Sequence, residues 1–279
     1  MLALSTGSLH NYGLDRVFAL ACRTGFQGVE VIVDTRWDTR QSSYLRELVQ
    51  RHSIPIVSLH APFIHGIQGW DGDALSGLRR TVQLASSIDV PVVICHLPMR
   101  WHWISVEGSP LRRRLRTPVP CPRSQKSRLD LLQGARELGN DKVKILLENM
   151  PANRWMGIRY GLYAPNAPEE LARFPDLVLD TTHVGTWGWD LMEVYERLKA
   201  SIRHVHLSDF NGREHILPGR GNLPLADLLR RVARDGFDGS IVVETGPEYL
   251  GAHDEEQVAL ALRGCSSFCF HNLNEGVVV

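Results

Sequence analysis

The sequence is poor in the features that assign a chain quickly. Cysteines are few, and none of the five (Cys22, Cys95, Cys121, Cys265, Cys269) forms a CxxC pair. The odd count points to a reducing compartment, and the expected location is the cytoplasm. There is no excess of either charge, with Lys+Arg and Asp+Glu at 31 each. No global field therefore draws the protein to nucleic acid or to a membrane. The start, Met1-Leu-Ala-Leu-Ser-Thr-Gly, lacks a basic segment and a long apolar core, so no signal peptide is expected. No apolar run approaches the ~18 residues of a membrane span. Internal repeats and low-complexity segments are missing. So is a Gly-rich phosphate turn after an early strand, which an open doubly wound sheet would want.

What is present is rhythm. The 279 residues, 43% of them apolar, suffice for one large barrel or two smaller domains. Eight short apolar runs recur at Leu2–Ser5, Gly28–Val33, Ile54–Leu59, Pro91–Cys95, Val143–Leu147, Leu177–Leu179, Ile202–Leu207 and Ser240–Val243. Several look buried on both faces, as parallel strands are. Between them, Leu14–Arg23, Tyr44–His52, Leu75–Ser86, Leu129–Leu138, Leu191–Lys199, Leu225–Arg234 and Glu255–Arg263 carry apolar residues at helical spacing. Strand then helix, repeated through the chain, predicts a single-domain (β/α)8 TIM barrel over residues 1–264. Residues 97–128 read as a long Pro- and Arg-rich connection. Residues 265–279 read as a tail to which the pattern assigns no element.

In such a barrel the chemistry gathers at the carboxyl ends of the strands. Those ends hold Glu30, His60, His96, Glu148, Asp180 with His183, His206 and Glu244, with His215 in the loop beyond His206. Alternation along Ile202–Leu207 puts His204 and His206 on one face. A lone histidine at a strand end is ordinarily a hydrogen-bonded structural residue. Seven consecutive strands each supplying His, Asp or Glu imply convergence. Converging acids repel unless a cation compensates them, so one or more divalent metals are expected.

These residues carry a resemblance. Glu148, Asp180-Thr-Thr-His183, His204-Val-His206, Gly219-Arg-Gly221 and Glu244 are similar to the motifs of the xylose isomerase-like barrels, a family that includes endonuclease IV and the sugar isomerases and epimerases. For a single-metal epimerase the resemblance implies metal ligands at Glu148, Asp180, His206 and Glu244. For the endonuclease it implies a larger zinc cluster. His60 and His96 would then join Glu148 in a second site, and His183 and His215 would hold a third metal. Arg213 departs from that pattern, because it replaces the Asp expected two residues before His215, and a cation does not ligate a metal. In the epimerases an Arg of this loop and the His matching His183 touch substrate oxygens.

Two further features stand apart from the resemblance. All seven Trp (Trp37, Trp70, Trp101, Trp103, Trp155, Trp187, Trp189) follow an expected strand, which suggests a stacking wall for rings at the barrel mouth, with Trp187 as a substrate contact. Residues 100–128 hold Arg100, Arg112, Arg113, Arg114, Arg116, Arg123, Lys126 and Arg128 against one acid, Glu107, a run suited to an anionic group.

The favoured expectation is a divalent-metal-dependent isomerase or epimerase of a small carbohydrate or cyclitol. Glu148 and Glu244 would exchange a proton through an enediolate, and His60, His96, His183 and Arg213 would face the substrate. The oxygen-rich ligand set suits Zn, Mn, Co or Mg. The alternative is a zinc phosphodiesterase in which Glu148 bridges two ions, the one case in which nucleic acid is an expected partner.

Overall fold

The computed structural model describes the whole chain except residues 64–66, 68–69, 71–72, 107–114, 121–123, 156 and 278–279, and the side chains of 101–106, 115–120, 124–128 and 155. In chain order the strands are β1 (Leu2–Ser5), β2 (Gly28–Ile32), β3 (Ile56–His60), β4 (Val92–His96), β5 (Trp101–Val106), β6 (Leu115–Pro120), β7 (Lys144–Glu148), β8 (Ala152–Trp155), β9 (Ile158–Gly161), β10 (Leu177–Asp180), β11 (Ile202–Leu207) and β12 (Ser240–Val243). The helices are α1 (Leu14–Arg23), α2 (Ser42–His52), α3 (Ala74–Ser87), α4 (Ser124–Leu138), α5 (Pro168–Leu171), α6 (Thr181–Trp187), α7 (Leu191–Leu198), α8 (Leu225–Arg234), α9 (Pro247–Leu250) and α10 (Glu255–Val277).

Eight parallel strands close into a barrel in the order β1-β12-β11-β10-β7-β4-β3-β2. They are the eight apolar runs of the sequence, each within about two residues at either end. Their Val-, Ile- and Leu-rich stretches bury one face against the helices and the other inside the ring. The larger core lies between ring and helices, and two small clusters, Ala3–Val57–Val242 and Ile94–Leu146–Val178, fill the interior. The helices follow from amphipathic spacing. In α8, Leu225, Leu228, Leu229 and Val232 are buried, while Arg230 and Arg231 lie on the open side and pair with Asp227 and Asp235. Asp38 and Asp73 take up free N–H groups at the starts of α1 and α3.

The 97–128 connection is more ordered than its composition suggests. It holds the antiparallel hairpin β5–β6, and the side chains of its basic run lie outside the described residues. A second hairpin, β8–β9, follows β7. The two connections are joined by backbone. Met99 bridges Tyr163, Arg100 N–H donates to Leu162 O, and Ala164 N–H donates to Pro98 O at 3.1 Å.

The final helix runs on past residue 264. Cys265, Ser266, Cys269, Asn272 and Gly276 keep its inward face at helical spacing, and Gly276 lets the α8 backbone approach. Ser266 Oγ donates to Thr24 O at 2.6 Å. That face is built of small and polar residues, so it carries no apolar periodicity. Among the described residues no helix is long and apolar enough to cross a membrane.

Register places the site. His96 is paired with Glu148 across β4–β7, Asp180 with His206 across β10–β11, and Glu30 with Ser58 across β2–β3.

Candidate functional site

Glu148, 2% exposed, is the hub. Its Oε1 lies 3.0 Å from His206 Nδ1, and its Oε2 lies 3.1 Å from His60 Nε2 and 3.3 Å from His96 Nε2. His206 Nδ1 is also 3.0 Å from Glu244 Oε2 and 4.0 Å from Asp180 Oδ2. The structure therefore brings together the four residues that the resemblance pairs with a single metal, at the ends of four neighbouring strands. Their candidate ligand atoms all lie within 4.8 Å of one another. Three further sets close to the same degree: His60–His96–Glu148, Asp180–His183–His215 and, deeper in the ring, Glu30–His204–His206.

The histidines are oriented from behind. His60 Nδ1 faces Ala61 O at 2.8 Å, and His183 Nδ1 faces Asn149 O at 2.7 Å. Each carbonyl takes the Nδ1–H and leaves Nε2 as the nitrogen able to ligate, which at His60 lies 3.1 Å from Glu148 Oε2. Asn149 does more. Its amide accepts from Asp180 N–H at 2.7 Å and donates to Asp180 O at 3.1 Å, which ties the end of β7 to the end of β10. His215 adopts a left-handed backbone (φ 54), a region in which His is more tolerated than most residues. Its Nδ1 lies 3.3 Å from both Ser208 Oγ and Glu244 O, and its ring stands edge-on to His183.

Burial and charge compete here. Burial would raise the Glu148 carboxyl, but His206, His60 and His96 outweigh it and hold the group well below the usual range. Burial wins at Asp180, which is pushed up to about 6. It also holds His96 and His183 below the usual histidine value. His206 goes the other way. Burial opposes its charge, but Glu30, Glu244 and Glu148 raise it well above the ordinary value.

One atom tests the fit of a cation. Asp180 Oδ1 accepts from His183 N–H, but the fully buried Oδ2 has no hydrogen-bond partner. An orphaned carboxylate oxygen in such a place is costly, and a divalent ion would supply the missing partner. The donor set, three carboxylates and one imidazole, fits such an ion.

The remaining expected residues are placed as follows. Arg213 is exposed, and its guanidinium has no protein partner among the described residues. The Asp180–His183–His215 set closes without it. Of the seven tryptophans, the side chains of Trp101, Trp103 and Trp155 lie outside the described residues. Trp37 packs on Tyr44, Trp70 on the core, and Trp187 stacks on Trp189 with centroids 4.9 Å apart. The Trp187 indole N–H donates to Met150 O at 2.9 Å. Phe63, which the sequence reading passed over, is 54% exposed and stacks on His96. Glu30 does not stand at the mouth. It lies mid-strand inside the ring, fully buried, with Ser58, His204 and His206 around it. Asn149 and Ser58 also went unnoticed. Their only signals were their places in Glu148-Asn149 and at an inward position of β3.

Fold and site together define a (β/α)8 barrel with a buried carboxylate–histidine cluster at its carboxyl end. The chain belongs to the xylose isomerase-like TIM barrel family, which it matches over residues 18–265. An uncharacterised protein of Mycobacterium tuberculosis is 27% identical over 269 residues, 93% of this chain and 94% of that one. A fructoselysine 3-epimerase of Escherichia coli O157:H7 is 32% identical over 62 residues, 22% of each chain. Among solved structures, a D-tagatose 3-epimerase-like protein superposes with a TM-score of 0.66 at 20% identity, covering 99% of both chains. An AP endonuclease of family 2 from Brucella melitensis superposes at 0.63 with 16% identity, covering 88% of this chain and 93% of that one.

Proposed function

We propose that the protein is a divalent-metal-dependent isomerase or epimerase of a small carbohydrate or cyclitol. The observation that carries this reading is the shared position of Glu148 and Glu244, both 3.0 Å from His206 Nδ1 and so bordering one space beside the orphaned Asp180 oxygen. Glu148, Asp180, His206 and Glu244 would hold the ion. Bound there, a divalent ion draws electrons from adjacent substrate oxygens and acidifies the neighbouring C–H. Glu148 and Glu244 take and return the proton at that carbon through an enediolate. Arg213 donates to the substrate oxygen that gains charge, and His183, whose Nδ1–H is held by Asn149 O, accepts from a substrate hydroxyl through Nε2. Phe63, stacked on His96, and Trp187 offer apolar ring faces to the substrate's carbon skeleton. The epimerases named among the relatives and solved structures support this choice of substrate class.

A second reading is favoured by the closing of three adjacent ligand sets around Glu148 and Asp180. It is a zinc phosphodiesterase with His60 and His96 at a second ion and His183 and His215 at a third. Metal content of the purified protein, measured beside assays on a panel of ketoses and on abasic-site DNA, separates the two. One ion per chain with ketose turnover supports the first. Two or three ions with DNA cleavage replace it by the second.

Metal uptake should depend on pH in a definite direction. Asp180 must be ionised to act as a ligand, and burial holds its carboxyl at about 6. Below that value the proton competes with the ion, and the raised His206 competes in the same sense. Affinity for Mn or Co is therefore expected to rise from about pH 5 to pH 7 in calorimetric titrations. A flat profile would remove Asp180 from the ligand set.

Arg213→Ala is expected to lower kcat/KM by about ten- to a thousandfold, as loss of one oxyanion donor does, with metal content unchanged. Unaltered kinetics would take Arg213 out of the mechanism.

A further inference from the structure

Among the described residues one buried constellation has no part in the reaction outlined above. Glu30, His204 and Ser58 sit inside the barrel with at most 1% exposure, directly beneath His206. Ser58 Oγ–H donates to Glu30 Oε2 at 2.7 Å. His206 Nε2 lies 3.1 Å from Oε1 and 3.3 Å from Oε2 of the same carboxylate. His204 Nε2 approaches Oε2 to 3.1 Å, off the line of a hydrogen bond, and its ring stands edge-on to His206 at 5.2 Å. A carboxylate and an imidazole in the middle of a barrel occupy space that apolar side chains would fill more cheaply. They also lie too deep to touch a substrate at the mouth.

We infer that Glu30 is a positioning residue for the metal ligand His206. It takes the ring's Nε2–H and so presents Nδ1, unprotonated and correctly aimed, to the ion. The inference rests on the reading of His206 as a ligand. Three observations support it. His206 has two faces of different character, with Nε2 toward Glu30 and Nδ1 toward Glu148 and Glu244. His60 and His183 follow the same rule with backbone carbonyls behind them, so His206 is the one of the three backed by a charged acceptor. Ser58 in turn donates to the Glu30 carboxylate and holds the acceptor in place. A carboxylate behind a ligand imidazole both selects the tautomer and increases the ring's basicity toward the metal.

Glu30→Gln tests this. The amide keeps one acceptor oxygen for its two donors, Ser58 and His206, and sets an NH2 at the other position beside His206 Nε2, so the contact to His206 is weakened with little change of volume. Co(II) binding, followed by its visible absorption, is expected to weaken by roughly ten- to a hundredfold and the band to shift, while the near-UV dichroism of the metal-free form is retained. A folded variant that binds Co(II) within about twofold of the wild type, with the same spectrum, overturns the inference. Should the variant fail to fold, nitrogen NMR of histidine-labelled, zinc-loaded wild type decides. A proton on His206 Nε2 supports the assignment, and a proton on Nδ1 overturns it. A wild type that takes up neither Co(II) nor zinc defeats the metal reading itself, a result distinct from any difference between variant and wild type.

Discussion

Turnover of Glu148→Gln is expected to fall by about four orders of magnitude, the upper range for removing a group that moves a proton in the rate-determining step. Metal affinity should fall with it, because the amide cannot carry the charge that balances an ion. The size of the effect follows from the hub position. Its two oxygens serve His206 on one side and His60 and His96 on the other. Gln preserves the volume and part of this bonding, so the fold should survive and the loss should be chemical. The measurement is kcat on the best ketose substrate at saturating metal, with metal content determined on the same sample. Unchanged content together with unchanged activity would remove Glu148 from the site.

Asp209→Ala is expected to have the largest effect on stability. This carboxylate is 1% exposed and gathers four backbone N–H groups. Oδ1 accepts from Phe210 at 2.8 Å and Leu223 at 3.0 Å, and Oδ2 accepts from Gly219 at 3.1 Å and Gly221 at 2.8 Å. The loop that follows β11 is folded around it. A Cβ on Gly221 would stand 2.4 Å from Asp209 Oδ1, which is why glycine is required there. Alanine at 209 leaves four donors without partners, a loss of roughly 3–5 kcal/mol, since each buried orphan costs about 1–3 kcal/mol and some regain water. For a chain of this size that is a fall of roughly 10 °C in Tm. Asn, which keeps one acceptor oxygen, should fall between alanine and wild type. A shift below about 2 °C for alanine would show that the loop is held by other means. Because Asp209 and Ile216 also exchange backbone hydrogen bonds around Arg213 and His215, metal uptake should weaken alongside.

The eight barrel strands were legible because parallel strands buried on both faces are written as short, mostly aliphatic runs set between segments of helical periodicity. Most of the candidate site followed from one rule, that barrel strands deliver their last residues to a common mouth. That rule found His60, His96, Glu148, Asp180, His206 and Glu244 without any knowledge of distance. It misjudged Glu30, because linear order does not reveal depth, and a mid-strand residue reads like a strand end. Asn149 was hidden because its work is done by an amide bonding to backbone, which no spacing signals. The end of α10 was hidden for a related reason. Helical periodicity is read from large apolar residues, and its inward face is made of Cys, Ser, Asn and Gly.

The stitch between the two hairpin-bearing connections has a consequence for how such a site diverges. Met99 and Tyr163 are joined main chain to main chain, flanked by the Arg100–Leu162 and Ala164–Pro98 hydrogen bonds. A backbone ladder is indifferent to the side chains it carries. Residues in either segment can therefore be exchanged by drift or by selection while the rim keeps its shape. New substrate preferences can arise there without disturbing the carboxylate–histidine cluster below. Loop grafting between relatives should respect the same boundary, because either segment moved alone would leave half of the ladder without its partner.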